Sequence, residues 1–172
     1  GTRVAMIGGS KFHASVPAHI IGRLSGSQFV LHHNHPLPYT LSSGDIEFLN
    51  QVRELEEITA RDTEGGVSTA SIVGRTPDKP HKWQDFGAFS NRYWDQLSRK
   101  TAGLIKPGND PEIRKAAIFL RQHAYSLGMD AGGYIKYGFT LSDRQQKWAD
   151  TYSAELAEMT RVAKDEIKRV AD

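Results

Sequence analysis

The sequence predicts an α/β (α+β) fold in which helices flank a mixed β-sheet. Residues 28–33 form a run of β-branched and aromatic residues with turn residues on both sides, which predicts a strand. An amphipathic pattern from residue 45 to about residue 60 predicts a helix, and the alternating run at residues 67–73 predicts a second strand. Strand, helix and strand in this order are typical of a layered structure with a mixed sheet.

The composition restricts the kind of protein. The chain has 172 residues, 38% of them hydrophobic, and is therefore long enough to bury a core. Its 22 Lys and Arg and 20 Asp and Glu are interspersed, which argues against a nucleic-acid clamp and against a polybasic membrane anchor. Because there is no cysteine, any metal must be held by histidine and carboxylate. No apolar run approaches the ~18 residues of a membrane helix, so we expect a soluble protein without a membrane partner.

Two short elements are predicted ahead of the first clear strand. The apolar residues 4–7 are followed by Gly-Gly-Ser at residues 8–10, as in a buried strand that enters a turn. Residues 16–24 predict a short helix. The chain begins with Gly1 and has a strand-like pattern from residue 4, so we interpret it as a fragment of a longer protein.

Three helices are predicted after the second strand. The first has an apolar stripe at helical spacing, formed by Phe86, Phe89, Tyr93, Trp94 and Leu97. The second has Asp110 as N-cap, Pro111 at its first position and Gly128 as its stop. The third opens with a capping box at residues 142–145 and would be about 40 Å long if continuous to Val170.

The residues that carry chemistry follow the first strand. Residues 33–36 have the sequence His-Asn-His-Pro. Side chains alternate along an extended segment, so His33 and His35 are expected to project to the same side. Pro36 ends the strand and leaves room beside the second imidazole for water and substrate. Asp45 opens the next helix, from which its carboxylate can return as a third ligand.

Two histidines and one carboxylate with an open fourth position are the ligand set of a catalytic zinc ion. Such an ion lowers the pKa of bound water to about 7 and polarises a carbonyl, which suits amide hydrolysis once a general base is present. Each half of the pattern also has a purely structural interpretation, as a partly buried histidine pair or as a helix cap. Their joint occurrence between a strand and a helix favours the metal site.

The pattern His33-Asn34-His35-Pro36 followed by Ser42-Ser43-Gly44-Asp45 resembles the motif of the JAMM metalloproteases, also called JAB or MPN. Its His-Asn-His-Pro form is similar to the bacterial branch, which includes RadC-like proteins and the JAB-like domains of phage minor head proteins and polymorphic toxins. The similarity in the order and spacing of elements covers roughly residues 4–138. The resemblance therefore implies a JAMM-like metal-binding domain at residues 1–138 that lacks its first strand. Residues 139–172 then form a long C-terminal helix that packs on this domain or extends from it.

The resemblance implies a zinc-dependent peptidase or isopeptidase with Zn2+ as its cofactor. The zinc ligands would be His33, His35 and Asp45. Ser42 would be a catalytic residue that hydrogen-bonds the metal-bound water or the tetrahedral intermediate. The partners implied are a protein or peptide substrate and either an immunity protein or phage head components. The location implied is the bacterial cytoplasm, a phage particle or, for a toxin, secretion as an effector.

Two features depart from the family pattern. The spacer at residues 37–41 is one residue shorter than in the eukaryotic deubiquitinase members. The catalytic Glu of the family lies on a strand upstream of the histidines, whereas the first Glu of this chain is Glu47. We therefore expect that Glu to precede Gly1 in a longer parent protein.

Two alternative functions remain open at this stage. One is a JAMM-like interaction domain without catalysis, consistent with the missing Glu, although retention of all four motif residues argues against it. The other is a metal-dependent nuclease, because residues 32–35 superficially match a His-Asn-His motif, with Asn50 as the sole candidate for its further ligand on the next helix. The isolated histidines are interpreted as surface or core residues rather than ligands: His13, His19, His81 and His123.

Overall fold

The computed structural model describes residues 26–74 and 86–171, together with His19, Ile20 and Gly22. These three separate residues are helical, in agreement with the short helix predicted at residues 16–24. The predicted strand at residues 4–7 and its turn lie outside the described residues, as do His13 and His81.

Four strands form one mixed sheet: β1 (Phe29–His35), β2 (Leu55–Asp62), β3 (Val67–Ile72) and β4 (Ile135–Thr140). The strands lie in the order β1-β2-β3-β4. Strands β1 and β2 are parallel and the other two pairs are antiparallel. Parallel neighbours need a crossover, which α1 (Ser43–Gln51) provides. Gly65, with φ of +93°, allows the tight turn between β2 and β3. The predicted α+β class with a mixed sheet is confirmed.

Four more helices complete the described fold: α2 (Phe86–Thr101), α3 (Pro111–Ala131), α4 (Asp143–Thr151) and α5 (Ser153–Ala171). Asp110 caps α3 as predicted, since its carboxylate accepts the N–H of Glu112 at 2.8 Å. The main core joins the sheet to the helices through residues that include Ile58, Ala70, Leu49, Tyr93, Tyr125 and Ile167. A second cluster, with Phe119, Trp148 and Met159, lies among α3, α4 and α5. None of the described helices combines the length and apolar character needed to span a bilayer.

The prediction of a helix from residue 45 to about residue 60 is wrong for the second half of that range. Helix α1 ends at Gln51, and Val52 is already extended, with φ of −96° and ψ of 104°. Leu55 and Ile58, which also fit the helical spacing, are buried in β2. Strand β2 hydrogen-bonds to β1 on one side and to β3 on the other, and this pairing overrides the local helical pattern.

Two helix ends also differ from the prediction. Gly128 does not stop α3, which continues to Ala131. A Cβ on Gly128 would collide with the Tyr93 hydroxyl and lie 2.9 Å from the Cβ of Ala163, so this glycine permits close helix packing. The long C-terminal helix is interrupted at Tyr152, where φ is −112° and ψ is 37°. The interruption allows α4 and α5 each to pack against α3.

The sequence alone leaves open whether residues 132–138 form an edge strand or a loop. In the structure it leads into β4, an edge strand of the described sheet that pairs with β3. Helix α5 then packs against α2 and α3, and its Val162, Ala163 and Ile167 belong to the main core.

Candidate metal centre

Strand β1 directs two histidines to the covered face of the sheet. Along the strand, residues 29, 31, 33 and 35 are half-buried and the residues between them are exposed. His33 and His35 therefore share one face, and their ring centroids are 4.8 Å apart. His32 and Asn34 are exposed, as expected from the alternation of side chains along a strand.

The loop from Pro36 to Ser42 brings the chain back to these histidines. The carbonyl of Tyr39 accepts a hydrogen bond from His35 Nδ1 at 3.3 Å. The N–H of the fully buried Leu41 donates to Ser68 Oγ on β3 at 3.0 Å. These contacts fix the loop at both ends, so that α1 begins beside the imidazoles.

Ser42 and Asp45 form a capping box at the start of α1. The N–H of Asp45 donates to Ser42 Oγ at 3.2 Å, and the N–H of Ser42 donates to Asp45 Oδ2 at 2.7 Å. The Ser42 hydroxyl also donates to Asp45 Oδ2 at 2.7 Å. The Ser-x-x-Asp pattern is thus a helix cap that also aims the Asp45 carboxylate at the histidines.

The ligand atoms of the three predicted zinc residues converge. His33 Nε2 lies 3.1 Å from Asp45 Oδ1, and His35 Nε2 lies 3.5 Å from Asp45 Oδ2. The two Nε2 atoms are 2.9 Å apart. In a tetrahedral zinc site with bonds near 2.0–2.1 Å, ligand atoms are about 3.3 Å from one another. The observed separations lie on either side of this value, so these three residues could hold one metal ion.

The tautomer of His35 supports a cation at this point. The Tyr39 carbonyl can only accept, so His35 Nδ1 must carry a hydrogen, and in the neutral ring Nε2 presents a lone pair. That lone pair faces the Asp45 carboxylate and the second imidazole. This nitrogen and the Asp45 oxygen 3.5 Å from it are both acceptors, so they need a proton or a cation between them. A carbonyl partner on the distal nitrogen is also usual for a metal-binding histidine.

Electrostatic interactions with the two histidines keep the Asp45 carboxylate negatively charged, as binding of a cation requires. Burial acts to raise the pKa of Asp45, but hydrogen bonds to His33 and His35 and their charges outweigh it, so the pKa lies well below its usual range. Burial acts to lower the pKa of His35, but the hydrogen bond and charge of Asp45 outweigh it and the pKa is raised. The charge of Asp62 adds to this increase. Protons and a metal cation therefore compete for the same atoms.

All four predicted site residues are brought together, and the geometry adds three that the motif did not indicate. The Tyr39 carbonyl orients His35, and Ser68 on β3 holds the loop. Asp62 on β2 is the register partner of His35. No local pattern identifies these three residues, because their positions depend on a loop conformation and on strand register.

Replacing Ser68 by alanine is expected to destabilise the metal-free protein by about 1–3 kcal/mol, because the buried N–H of Leu41 loses its acceptor. The same change loosens the loop that joins His35 to Asp45, so zinc affinity should fall as well. Urea unfolding and chelator competition measure the two effects.

Ser90→Ala is a matched control, since Ser90 is a buried serine on α2 whose hydroxyl lies 2.6 Å from the Tyr125 hydroxyl. It should destabilise the protein without weakening zinc binding. Equal zinc affinities in the two variants would contradict a role for Ser68 in positioning the loop.

Comparison with protein-family models, with curated proteins and with solved structures gave no match. The centre is therefore interpreted from its own geometry. Within the described part of the chain, His33, His35 and Asp45 are the one group of three or more His, Cys, Asp or Glu residues whose ligand atoms are close enough to share an ion.

Proposed function

We propose that the protein is a zinc-dependent hydrolase of the JAMM type, a peptidase or isopeptidase that acts on an amide bond of a protein or peptide. The convergence of His33 Nε2, His35 Nε2 and the Asp45 carboxylate at 2.9–3.5 Å carries this proposal. Their side chains retain 23%, 15% and 18% exposure, so a substrate can approach the centre. When bound there, zinc supplies Lewis acidity and lowers the pKa of a water in its open position to about 7.

The protein supplies orientation and charge. The Tyr39 carbonyl holds His35 in the tautomer whose Nε2 binds a cation. The backbone and hydroxyl of Ser42 hold Asp45 Oδ2 and so fix the direction of the carboxylate. When substrate binds, we propose that the Ser42 hydroxyl turns from Asp45 to the substrate oxygen on which negative charge develops. Removing that donor should lower kcat more than it raises KM.

A second candidate function is a JAMM-like domain that binds metal and a protein partner but does not hydrolyse it. This candidate needs the metal centre alone, whereas hydrolysis also requires a general base. Both candidate functions include the metal centre, and only the hydrolase cleaves the protein that it binds.

The test compares metal binding with cleavage in the same preparation. The protein, with any residues that precede Gly1 in its natural chain, is stripped with a chelator, reloaded with Zn2+ and incubated with a fluorescently labelled unfolded polypeptide. We expect cleavage that depends on zinc and is lost in Asp45→Asn. This control variant has the same shape and can still accept the Ser42 N–H, but it lacks the negative charge that the cation needs.

Each outcome selects one interpretation. Zinc-dependent cleavage that Asp45→Asn abolishes supports the hydrolase. Zinc binding without cleavage supports the non-catalytic domain and overturns the hydrolase. If the wild-type chain does not bind Zn2+, both candidate functions are overturned. If it binds Fe2+ in preference to Zn2+, iron replaces zinc as the proposed cofactor, because two histidines and a carboxylate also bind Fe2+.

A further inference from the structure

Asp62, the last residue of β2, lies beside the candidate metal centre. It is the register partner of His35 on the neighbouring parallel strand, so both side chains project to the same face of the sheet. Neighbouring strands are about 4.8 Å apart. Asp62 is only 8% exposed.

The two carboxylate oxygens of Asp62 have different surroundings. Oδ1 accepts the N–H of Glu64 at 2.7 Å and the N–H of Gly66 at 2.9 Å, which holds the turn between β2 and β3. Oδ2 is buried and has no hydrogen-bond partner within the part of the chain that the structure describes. A buried carboxylate oxygen without a partner destabilises a fold.

The surroundings of Oδ2 would suit an amide better than a carboxylate. Oδ2 and Gln145 Oε1 face the same small space beside Gly66, and a Cβ on Gly66 would collide with both. The capping box of α4 fixes Gln145 Oε1 as an acceptor, because it receives the N–H of Ser142 at 2.9 Å. Two acceptors therefore border this space, and an asparagine at position 62 would add an NH2 donor to it. The turn needs only the oxygen at Oδ1, so the negative charge of Asp62 is not explained by the fold.

A divalent cation explains this charge. Asp45 carries one negative charge at the centre, and the two imidazoles are neutral when they bind metal. In the described part of the chain, neither Asp45 nor Asp62 forms an ion pair with a lysine or arginine. Charges interact strongly where protein excludes water, so a second nearby carboxylate favours occupation by a doubly charged ion.

We propose that Asp62 is a positioning residue of the metal centre, whose negative charge acts with that of Asp45 to hold a divalent cation at His33, His35 and Asp45. The proposal rests on the metal binding described under the proposed function. It predicts that Asp62 contributes to metal affinity without being a ligand, and that it does so at a cost to the stability of the metal-free fold.

The test measures zinc affinity and stability in Asp62→Asn and Asp62→Ser. Both variants keep an oxygen for the turn and both lose the charge. We expect each to bind Zn2+ at least about tenfold more weakly than wild type in chelator competition, as is usual when a residue behind the ligands is changed. Metal-free Asp62→Asn should be at least as stable as wild type in urea, a result that a purely structural role would not produce.

Asp130→Asn is the control, because Asp130 is an exposed residue near the end of α3 whose carboxylate likewise accepts a backbone N–H, that of Tyr137, at 3.0 Å. It should leave zinc affinity unchanged. Wild-type zinc affinity in the two Asp62 variants would overturn this proposal while leaving the metal centre intact. Absence of zinc binding in the wild type would overturn the metal centre and this proposal together, and the two failures are therefore distinguishable.

Discussion

The double variant His33→Ala/His35→Ala is expected to lose zinc binding completely. Wild-type protein purified without added metal should contain about one zinc per chain. With both imidazoles removed, only the Asp45 carboxylate remains, and a single carboxylate does not hold zinc against water. The fold should persist, because both histidines lie at the end of β1 and neither belongs to a core cluster. Elemental analysis measures the metal, and circular dichroism checks the fold.

A matched control changes the opposite face of the same strand. His32 and Asn34 are exposed neighbours of the ligands, so His32→Ala/Asn34→Ala perturbs β1 to a similar extent without touching the centre. This variant should retain its zinc. Zinc retained by the His33→Ala/His35→Ala protein would place the ion elsewhere, and zinc lost from the control would contradict the assignment of the ligands to one face.

The four motif residues are predictable from sequence because their geometry is local. Alternation along a strand places His33 and His35 on one side, and a capping box places Asp45 next to Ser42. Neither relation depends on the rest of the chain. The approach of Asp45 to the histidines depends in addition on the loop at residues 36–42 and on its hydrogen bond to Ser68, so the sequence predicted it only through the motif. The role of Ser42 towards substrate stays a prediction.

The features that sequence reasoning missed depend on contacts between distant residues. Leu55 and Ile58 fit a helical spacing as well as a strand, and pairing with β1 and β3 decides between them. Glycine often ends a helix, but Gly128 lies inside α3 between Tyr93 and Ala163, where the absence of a side chain allows the helices to pack closely. Asp62 becomes a neighbour of His35 only through the register of β1 and β2.

His123 is expected to make the metal-free protein less stable in acid. It is 3% exposed, its Nδ1 lies 3.1 Å from the Tyr137 hydroxyl, and Phe119 stacks on its ring. Burial lowers its pKa to about 4, against about 6.5 in the unfolded chain. The unfolded state therefore takes up a proton as the pH falls below 6.5, whereas the folded state does so only near pH 4. Between pH 7 and pH 4.5 this difference should cost about 2.5 kcal/mol of unfolding free energy.

The variant His123→Gln isolates this effect, since glutamine can still hydrogen-bond to Tyr137 but does not titrate. Urea unfolding of both metal-free proteins at pH 7 and pH 4.5 gives the measurement, and the wild type should lose about 2.5 kcal/mol more than the variant. His35 and Asp45 titrate in both proteins, so their contributions cancel in the comparison. Equal losses would mean that a proton reaches His123 in the folded protein at little cost. The aromatic residues around His123, including the half-exposed Phe139, would then not exclude water from the imidazole.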